Sequence, residues 1–451
     1  MQCFCAVRCG ASAMMHQSVT VMGSPFCKLS KTMHPDSCGL GLDFGTSNST
    51  VGWSRPGQSA LLPLDDGKPT LPSVIFFHAE DFHASYGRAA VADYLAGHEG
   101  RLMRSLKSLL GTSLMDETTE LAGQALPFRK LLEQFIGELK YRAEQAAGRP
   151  FSHAVLGRPV FFVDDNPDAD RLAEQTLQDI AHAVGFKEVA FQFEPIAAAF
   201  DYESQIFSEE LVLVVDMGGG TSDFSLVRLS PERATQADRR EDILANGGIH
   251  IGGTDFDKYL SLASVMPMLG MGSALTSGRQ MPSAQFFNLA TWHTINFAYT
   301  RKAWVEIQDM HRHAAAKDKL ARLMNLVQQR SGHWLALQVE AAKIALSDTD
   351  TTTIELGRLE PDQSFTLNRT DFDSAIGHLV TGIETTVQNL LRDAGVSTAD
   401  INTVFFTGGS SSVPLLRERI SALLPDARRV EGDLFGSIGA GLALDAKRKF
   451  V

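Results

Sequence analysis

LGLDFGTSNSTVGW at residues 40–53 and LVVDMGGGTSDFSLV at residues 213–227 are two versions of one pattern. In each, an apolar strand ends in an aspartate, a turn of small residues with Thr and Ser follows, and a second strand begins. A repeat of this kind implies two related lobes. The 173 positions separating Asp43 from Asp216 are about the length of one domain, so the second copy can open a second lobe that faces the first across a cleft.

Outward from these turns, short aliphatic runs alternate with amphipathic segments. GLGLDFG, SVIFFHA, HAVLGRP, EVAFQFEP, LVLVVDMGG and TVFFTGG read as strands, while FRKLLEQFIGELKYRAEQAA and DADRLAEQTLQDIAHAVG carry apolar residues at helical spacing between them. The body is therefore α/β. The expected division is an extension over 1–38, one lobe over 39–210 and a second over 211–451, the latter with a helical subdomain at about 255–347. Between 262 and 334 the pattern is largely helical and carries no legible chemistry. His311 and His313, two apart on a helix, point to different faces and read as solvated.

The 451 residues, 44% of them hydrophobic, suffice for a large core. A formal charge of −12, from 41 basic and 53 acidic side chains, opposes phosphodiester backbones and anionic lipid, so neither nucleic acid nor membrane is an expected partner. All five cysteines, Cys3, Cys5, Cys9, Cys27 and Cys38, precede the first strand, which leaves the folded body without a disulfide or thiolate site and fits a reducing cytoplasm. The first 32 residues lack the apolar run of a signal segment. They read as a disordered extension, with Met33 a candidate alternative start.

In each repeated turn the small residues let backbone approach a polyphosphate, with N–H groups and hydroxyls as donors. Gly45, Thr46, Ser47 and Asn48 form one clamp; Gly218, Gly219, Gly220 and Thr221 form the other. Asp43 and Asp216 would repel a phosphate chain facing both of them unless a cation lay between, so the pair points to Mg²⁺ and the glycines to ATP. A third element, TGGSSSVP at 407–414, joins a strand to a helix and offers Gly408, Gly409 and Ser410 to a ribose and base.

The succession DFGTSNST, FEPIAAAFDY, DMGGGTSDFS, GGTDFD, TGGSSSVP and GSIGAGLAL resembles the ATPase domain of the heat shock protein 70 family, DnaK and its YegD-like relatives, from Gly39 to Asp445. The resemblance implies an actin-like ATPase fold. It also implies that Asp43 and Asp216 hold Mg²⁺ through water, that Glu194 and Asp216 orient the attacking water, and that Thr221 meets the γ-phosphate. Lys107, in RSLKSLLG, is the counterpart of the family's lysine; the competing reading puts Arg101, Arg104 and Lys107 on the polar stripe of an amphipathic helix. Glu194 also suits a helix start, followed by Pro195.

Glu340, Lys343 and Ser347 in VEAAKIALS match the family's base and ribose ligands, whereas Ile344 stands where an arginine commonly packs on adenine. The given sequence stops at the helix that closes the ATPase domain, which implies a protein without its own peptide-binding domain. The expected activity is slow Mg²⁺-dependent ATP hydrolysis in a chaperone or chaperone-related nucleotide switch, with ATP or ADP bound and with protein clients or co-chaperones as partners. A small-molecule kinase and an actin-like filament protein are the alternatives on the same fold.

Overall fold

The computed structural model describes residues 39–450 apart from 82, 122–123, 164–165, 237 and 361–362. The readings placed on residues 1–38, the cysteines among them, lie outside the described residues.

Two five-stranded sheets carry the repeat. In the first, Leu40–Asp43 lies between antiparallel Asn48–Gly52 and parallel His153–Arg158; Thr70–Pro72 and Glu188–Phe193 form the edges. In the second, Glu210–Met217 lies between antiparallel Ser222–Leu229 and parallel Thr403–Thr407; Ile243–Ile249 and Arg428–Glu431 form the edges. The strand orders coincide. So do the registers: Asp43 faces Thr50 and Asp216 faces Asp223, in each case the residue seven positions on. The similarity of the two sequence segments is therefore a similarity of hairpins, the first strand ending at Asp43 in one and at Met217, one residue past Asp216, in the other.

The helices follow apolar spacing. Phe128–Ala147 buries Leu131, Leu132, Phe135, Ile136, Leu139 and Ala143 on one face and stops at Gly148, whose φ of 69° is left-handed. Pro167–Ala183 starts at Asn166, whose side chain accepts the Ala169 N–H at 3.1 Å. The stretch read as helical does break into helices and tight turns, the longer ones being Arg301–His313, Lys317–Gln328 and Gly332–Asp348. His311 and His313 lie in the last turn of the first of these. Among the described residues no cluster of three His, Cys, Asp or Glu side chains could hold a metal ion, and no helix is long and apolar enough to cross a membrane.

One apolar cluster joins the sheets. Val155 of the first and Val212, Val214, Val227 and Leu229 of the second pack with Ile196, Ala197, Ala199 and Phe200 of helix Glu194–Glu203 and with Leu442 and Ala446 of helix Ser437–Lys449. These helices cross so closely that a Cβ on Gly441 would lie 1.8 Å from the Ala197 carbonyl oxygen. Exchanging Gly441 for Ala favours a helix interior by about 1 kcal/mol, but here the backbones would have to separate. Overpacking costs about 1–3 kcal/mol and more at so close a contact, so it wins. Gly441→Ala is expected to lower unfolding stability by about 2 kcal/mol in chemical denaturation; an unchanged or raised midpoint would refute the role given to this crossing.

Candidate functional site

The two repeated turns meet. A Cβ on Gly219 would lie 2.1 Å from the Ser47 hydroxyl oxygen, so the first turn is packed against the second, and a side chain there would have to displace the Ser47 hydroxyl. Each turn is braced from behind. Ser73 donates its hydroxyl to the Gly45 carbonyl at 2.7 Å and its N–H to the Ser47 carbonyl at 2.9 Å, and its hydroxyl lies 2.9 Å from that of Ser49. On the other side Gly218 donates to the Thr221 carbonyl at 3.0 Å, while Gly253 donates to Gly218 at 3.1 Å and Thr254 to Gly219 at 2.8 Å. These braces draw on carbonyl oxygens, the groups that would repel a phosphate. Thr221 donates its hydroxyl to Asp223 at 3.0 Å.

Behind the turns lie four charged side chains. Lys107 Nζ donates to Glu194 Oε1 at 2.6 Å, with only 12% and 11% of the two side chains exposed. Burial and the nearby Glu194 carboxylate push Asp43 up to about 7, against Lys107 and a hydrogen bond from Thr50. Burial, then Asp223, Glu194 and Asp43, pushes Asp216 up to about 8, again against Lys107. For Lys107 burial acts downward, and the charges of Glu194, Asp43 and Asp216 with the Glu194 hydrogen bond reverse it, leaving the ammonium raised and charged. Three carboxyl groups thus cluster about one ammonium, and burial with their mutual repulsion holds Asp43 and Asp216 towards the protonated form unless another positive group is present.

Lys107 reaches this position by a route the sequence reading missed. Arg101 and Arg104 do not share a helical stripe with it. Gly100–Arg104 is a strand paired with Val74–His78, Ser105 takes a left-handed φ of 57°, and Leu106–Leu109 is a single 3₁₀ turn. Cross-strand pairing prevails over the apolar spacing, which fits either period over so short a run. Glu194 is the first residue of helix Glu194–Glu203, ahead of Pro195, so the helix-start reading of this residue holds in the fold.

The elements expected to hold the base and ribose also converge. Gly408 has a φ of 79°, and a Cβ there would lie 2.5 Å from Asp216 Oδ1, so strand Thr403–Thr407 can turn beside the aspartate only through glycine. Ser410 packs on Gly253, where a Cβ would stand 2.3 Å from its hydroxyl; Gly409 begins the short turn Gly409–Ser412. Helix Gly332–Asp348 carries Glu340, Lys343 and Ser347 at three- and four-residue spacing. Ser347 accepts the Ser412 hydroxyl at 3.4 Å. Lys343 donates to the Gly253 carbonyl at 3.1 Å and stands 2.9 Å from the Asp257 carboxylate. Ile344 is 56% exposed.

Asp257, Thr254 and Ser73 are the residues to which the sequence reading gave no role. GGTDFD was visible as a motif, but its contacts lie 35 positions away at Gly219 and 86 away at Lys343. The donors that Asp43 and Asp216 would offer are carboxylate oxygens, the ligand type a hydrated Mg²⁺ takes.

Comparison with known proteins agrees with this architecture. The family described as Hsp70 protein matches residues 39–134, 119–265 and 309–443. The chain belongs to the Hsp70 family. Its α/β fold is the actin-like ATPase fold of that family, duplicated as the two sheets display. Chaperone protein HscA of Klebsiella pneumoniae (strain 342) is 28% identical over 439 residues, covering 92% of this chain and 59% of that protein. HscA of Citrobacter koseri is likewise 28% identical with the same coverage. The HscA homolog of Shewanella denitrificans is 25% identical over 434 residues, 91% of this chain and 59% of that protein. The chain thus spans 59% of the length of these relatives.

One buried group beside the site titrates in a testable way. His333 is 4% exposed and, by burial above all, is held down at about 4 from an ordinary 6.5. Between those values the unfolded chain takes up a proton that the fold refuses, so stability falls as pH drops below about 6.5. The loss is about 2 kcal/mol at pH 5. Denaturation of wild type and His333→Gln at pH 7 and pH 5 should show a smaller acid loss in the variant; equal losses would overturn the assignment.

Proposed function

We propose that this chain binds Mg–ATP between its two repeated turns, hydrolyses it slowly, and acts as a nucleotide switch in a chaperone process. The observation that carries the reading is the Lys107–Glu194 ion pair seated behind the turns beside Asp43 and Asp216. Nothing in a structural core calls for three buried carboxylates around one lysine. A polyphosphate with its divalent cation accounts for all four.

Gly45, Thr46, Ser47 and Asn48 would cradle the phosphates from one side, and Gly218, Gly219, Gly220 and Thr221 from the other. Bound there, Mg²⁺ would neutralise the phosphate oxygens and hold water against Asp43 and Asp216. Glu194 and Asp216 orient a water for attack on the terminal phosphorus. Glu194 also holds Lys107, whose ammonium faces the charge that builds on the transferring phosphoryl group. Glu340 and Ser347, with Gly408, Gly409 and Ser410, would line the ribose and base; Lys343 joins them through its hold on Asp257.

ATP and ADP would stabilise different angles between the halves. Protein clients or co-chaperones read that difference, and the cytoplasm is the compartment proposed. The HscA relatives are chaperones by name, which favours this output over a kinase or filament.

Single-turnover hydrolysis with Mg²⁺ and no acceptor tests the activity: ADP and phosphate should appear slowly, and chelation should abolish their formation. Glu194→Gln is expected to slow the chemical step by about 10²-fold or more with ATP affinity retained; unaltered hydrolysis would remove Glu194 from the mechanism. Ile344→Arg should tighten ADP binding by about threefold to tenfold through stacking on the base. No gain in calorimetry would place the base elsewhere.

A further inference from the structure

A cavity of about 980 Å³ opens onto both repeated turns, with Thr46, Ser47, Gly219 and Gly220 in its floor. The residues proposed for ribose and base, Glu340, Lys343, Ser347, Gly408, Gly409 and Ser410, do not line it. A nucleotide held in the proposed way would therefore leave the chamber beyond its phosphates unfilled. One wall of that chamber is the three-stranded sheet of Val74–His78, Ala84–Tyr86 and Gly100–Arg104 with helix Gly87–Leu95. The other is the helical region, where Leu289, Ile295 and Leu335 are buried. The walls meet where the Tyr94 hydroxyl lies 2.7 Å from His333 Nδ1.

The chamber has the opposite sign to the chain. Arg101, Arg104, Lys258, Arg330 and Arg358 line it against only Glu99 and Asp255, in a sequence with 41 basic and 53 acidic side chains. Asp255 is already engaged, accepting the Gly252 N–H at 3.0 Å. Among the described residues Arg104, Lys258, Arg330 and Arg358 form no ion pair. Two of these cations are held by rings instead: the Arg104 guanidinium sits 4.2 Å over Trp292 and that of Arg358 5.4 Å over Trp334. An indole holds a guanidinium by its face, so the N–H donors along the edge stay available for a phosphate fork. Burial keeps Arg104 below its ordinary value, against the charges of Glu340 and Asp257, as expected of a cation short of a close counter-charge. Trp292 falls within 266–308, the stretch that separates two parts of the family match.

Arg330 adds a backbone argument. It follows helix Lys317–Gln328 with a φ of 51°, the left-handed region in which Gly148 ends helix Phe128–Ala147. Glycine takes that conformation without the steric cost an arginine bears. The charge of Arg330 reaches Tyr94 on one wall and Tyr299 on the other, so the strained residue stands where the two walls approach.

We propose that the chamber binds a small molecule carrying two or more phosphate groups, held by Arg104, Arg330 and Arg358 outside the two turns. Walls of one sign focus the field between them, and planar guanidinium forks match phosphate dianions. The volume is at the upper end of small-ligand pockets, about 300–1,000 Å³, and a sugar bisphosphate or a second nucleoside phosphate shares the required chemistry. The site rests on the Mg–ATP reading only in that both ligands then bind together.

The test titrates fructose 1,6-bisphosphate into the full chain by calorimetry, with and without saturating Mg–ADP. Saturable binding is expected in both conditions. Arg104→Ala and Arg358→Ala should weaken it by about tenfold, and Arg330→Gly, at an exposed position, by about threefold to tenfold. Arg330→Gly should also raise the midpoint of chemical denaturation, since glycine relieves the left-handed backbone. A raised midpoint with unchanged affinity would make Arg330 a helix end and nothing more, and with unchanged affinity in Arg358→Ala as well would sink the site. Complete displacement of the bisphosphate by Mg–ADP would put its phosphates in the turns and sink it too. Excess ADP separates the sources: a second equivalent that Arg358→Ala weakens identifies a nucleoside phosphate as the occupant, whereas bisphosphate binding beside a single ADP identifies a phosphorylated sugar. Saturable binding of neither would overturn the proposal. A wild type that takes up the bisphosphate but no ADP would remove the nucleotide reading and leave this site standing.

Discussion

The contact on which the rest depends is the crossing of helices Glu194–Glu203 and Ser437–Lys449, where Gly441 presses on the Ala197 carbonyl. Glu194 is the first residue of one helix, so the crossing decides where its carboxylate stands. The other helix lies on the strand that ends in Asp43, close enough that a Cβ on Gly41 would be 2.2 Å from the Ala443 nitrogen. One packing event therefore places two of the three carboxylates. It is pinned by polar contacts: Gln192 donates to Asp445 at 3.2 Å, and Lys449 bridges Asp445 and the Phe191 carbonyl at 2.7 and 3.1 Å. The base of the cleft is thus densely packed, while its mouth is joined by a few side chains. Such a gradient of local stability is what a hinge requires.

Electrostatics runs against packing at the same point. The fold disfavours ionised Asp43 and Asp216, and one lysine cannot offset three carboxylates. Because their folded values lie above the ordinary 3.8, the sign of the linkage is that stability is lost as pH rises from about 4 towards 8. A core under selection for stability alone would not contain this cluster. Under the proposed Mg–ATP reading, a cation arriving with a polyphosphate would reverse the balance, and binding and folding stability would be linked through the same oxygens. The glycines of the turns would have the matching role for the anion: Gly219 leaves Ser47 its space and leaves the backbone bare.

How much of this could be read beforehand follows from the sequence separation of each contact. The repeated turns are local, and their pattern of strand, aspartate, small turn and strand already contains the hairpin and its register. Helix Phe128–Ala147 is likewise local and appears over the span its periodicity outlines. Gly100–Arg104 is different, because its short run of Arg, Leu and Met satisfies both a helical and a strand period until Val74–His78 is known to lie beside it. Lys107 is singled out by resemblance, whereas its ion pair with Glu194, 87 positions away, is not a matter of pattern. Ser73 braces Gly45 from 28 positions away, and Tyr94 meets His333 across 239. Neither leaves a local signature.

The base side of the cleft has a different character from the phosphate side. Lys343 is drawn to Asp257, which burial raises to about 6 against the pull of Lys343 itself, and Ser347 is drawn to Ser412. Ile344 stands exposed on the same helix as Lys343 and Ser347. Under the proposed reading, affinity would come mainly from the phosphates and their cation, with the two turns on either side of them, and the base would add less. Arg104 comes from the opposite wall, within reach of the charge of Glu340.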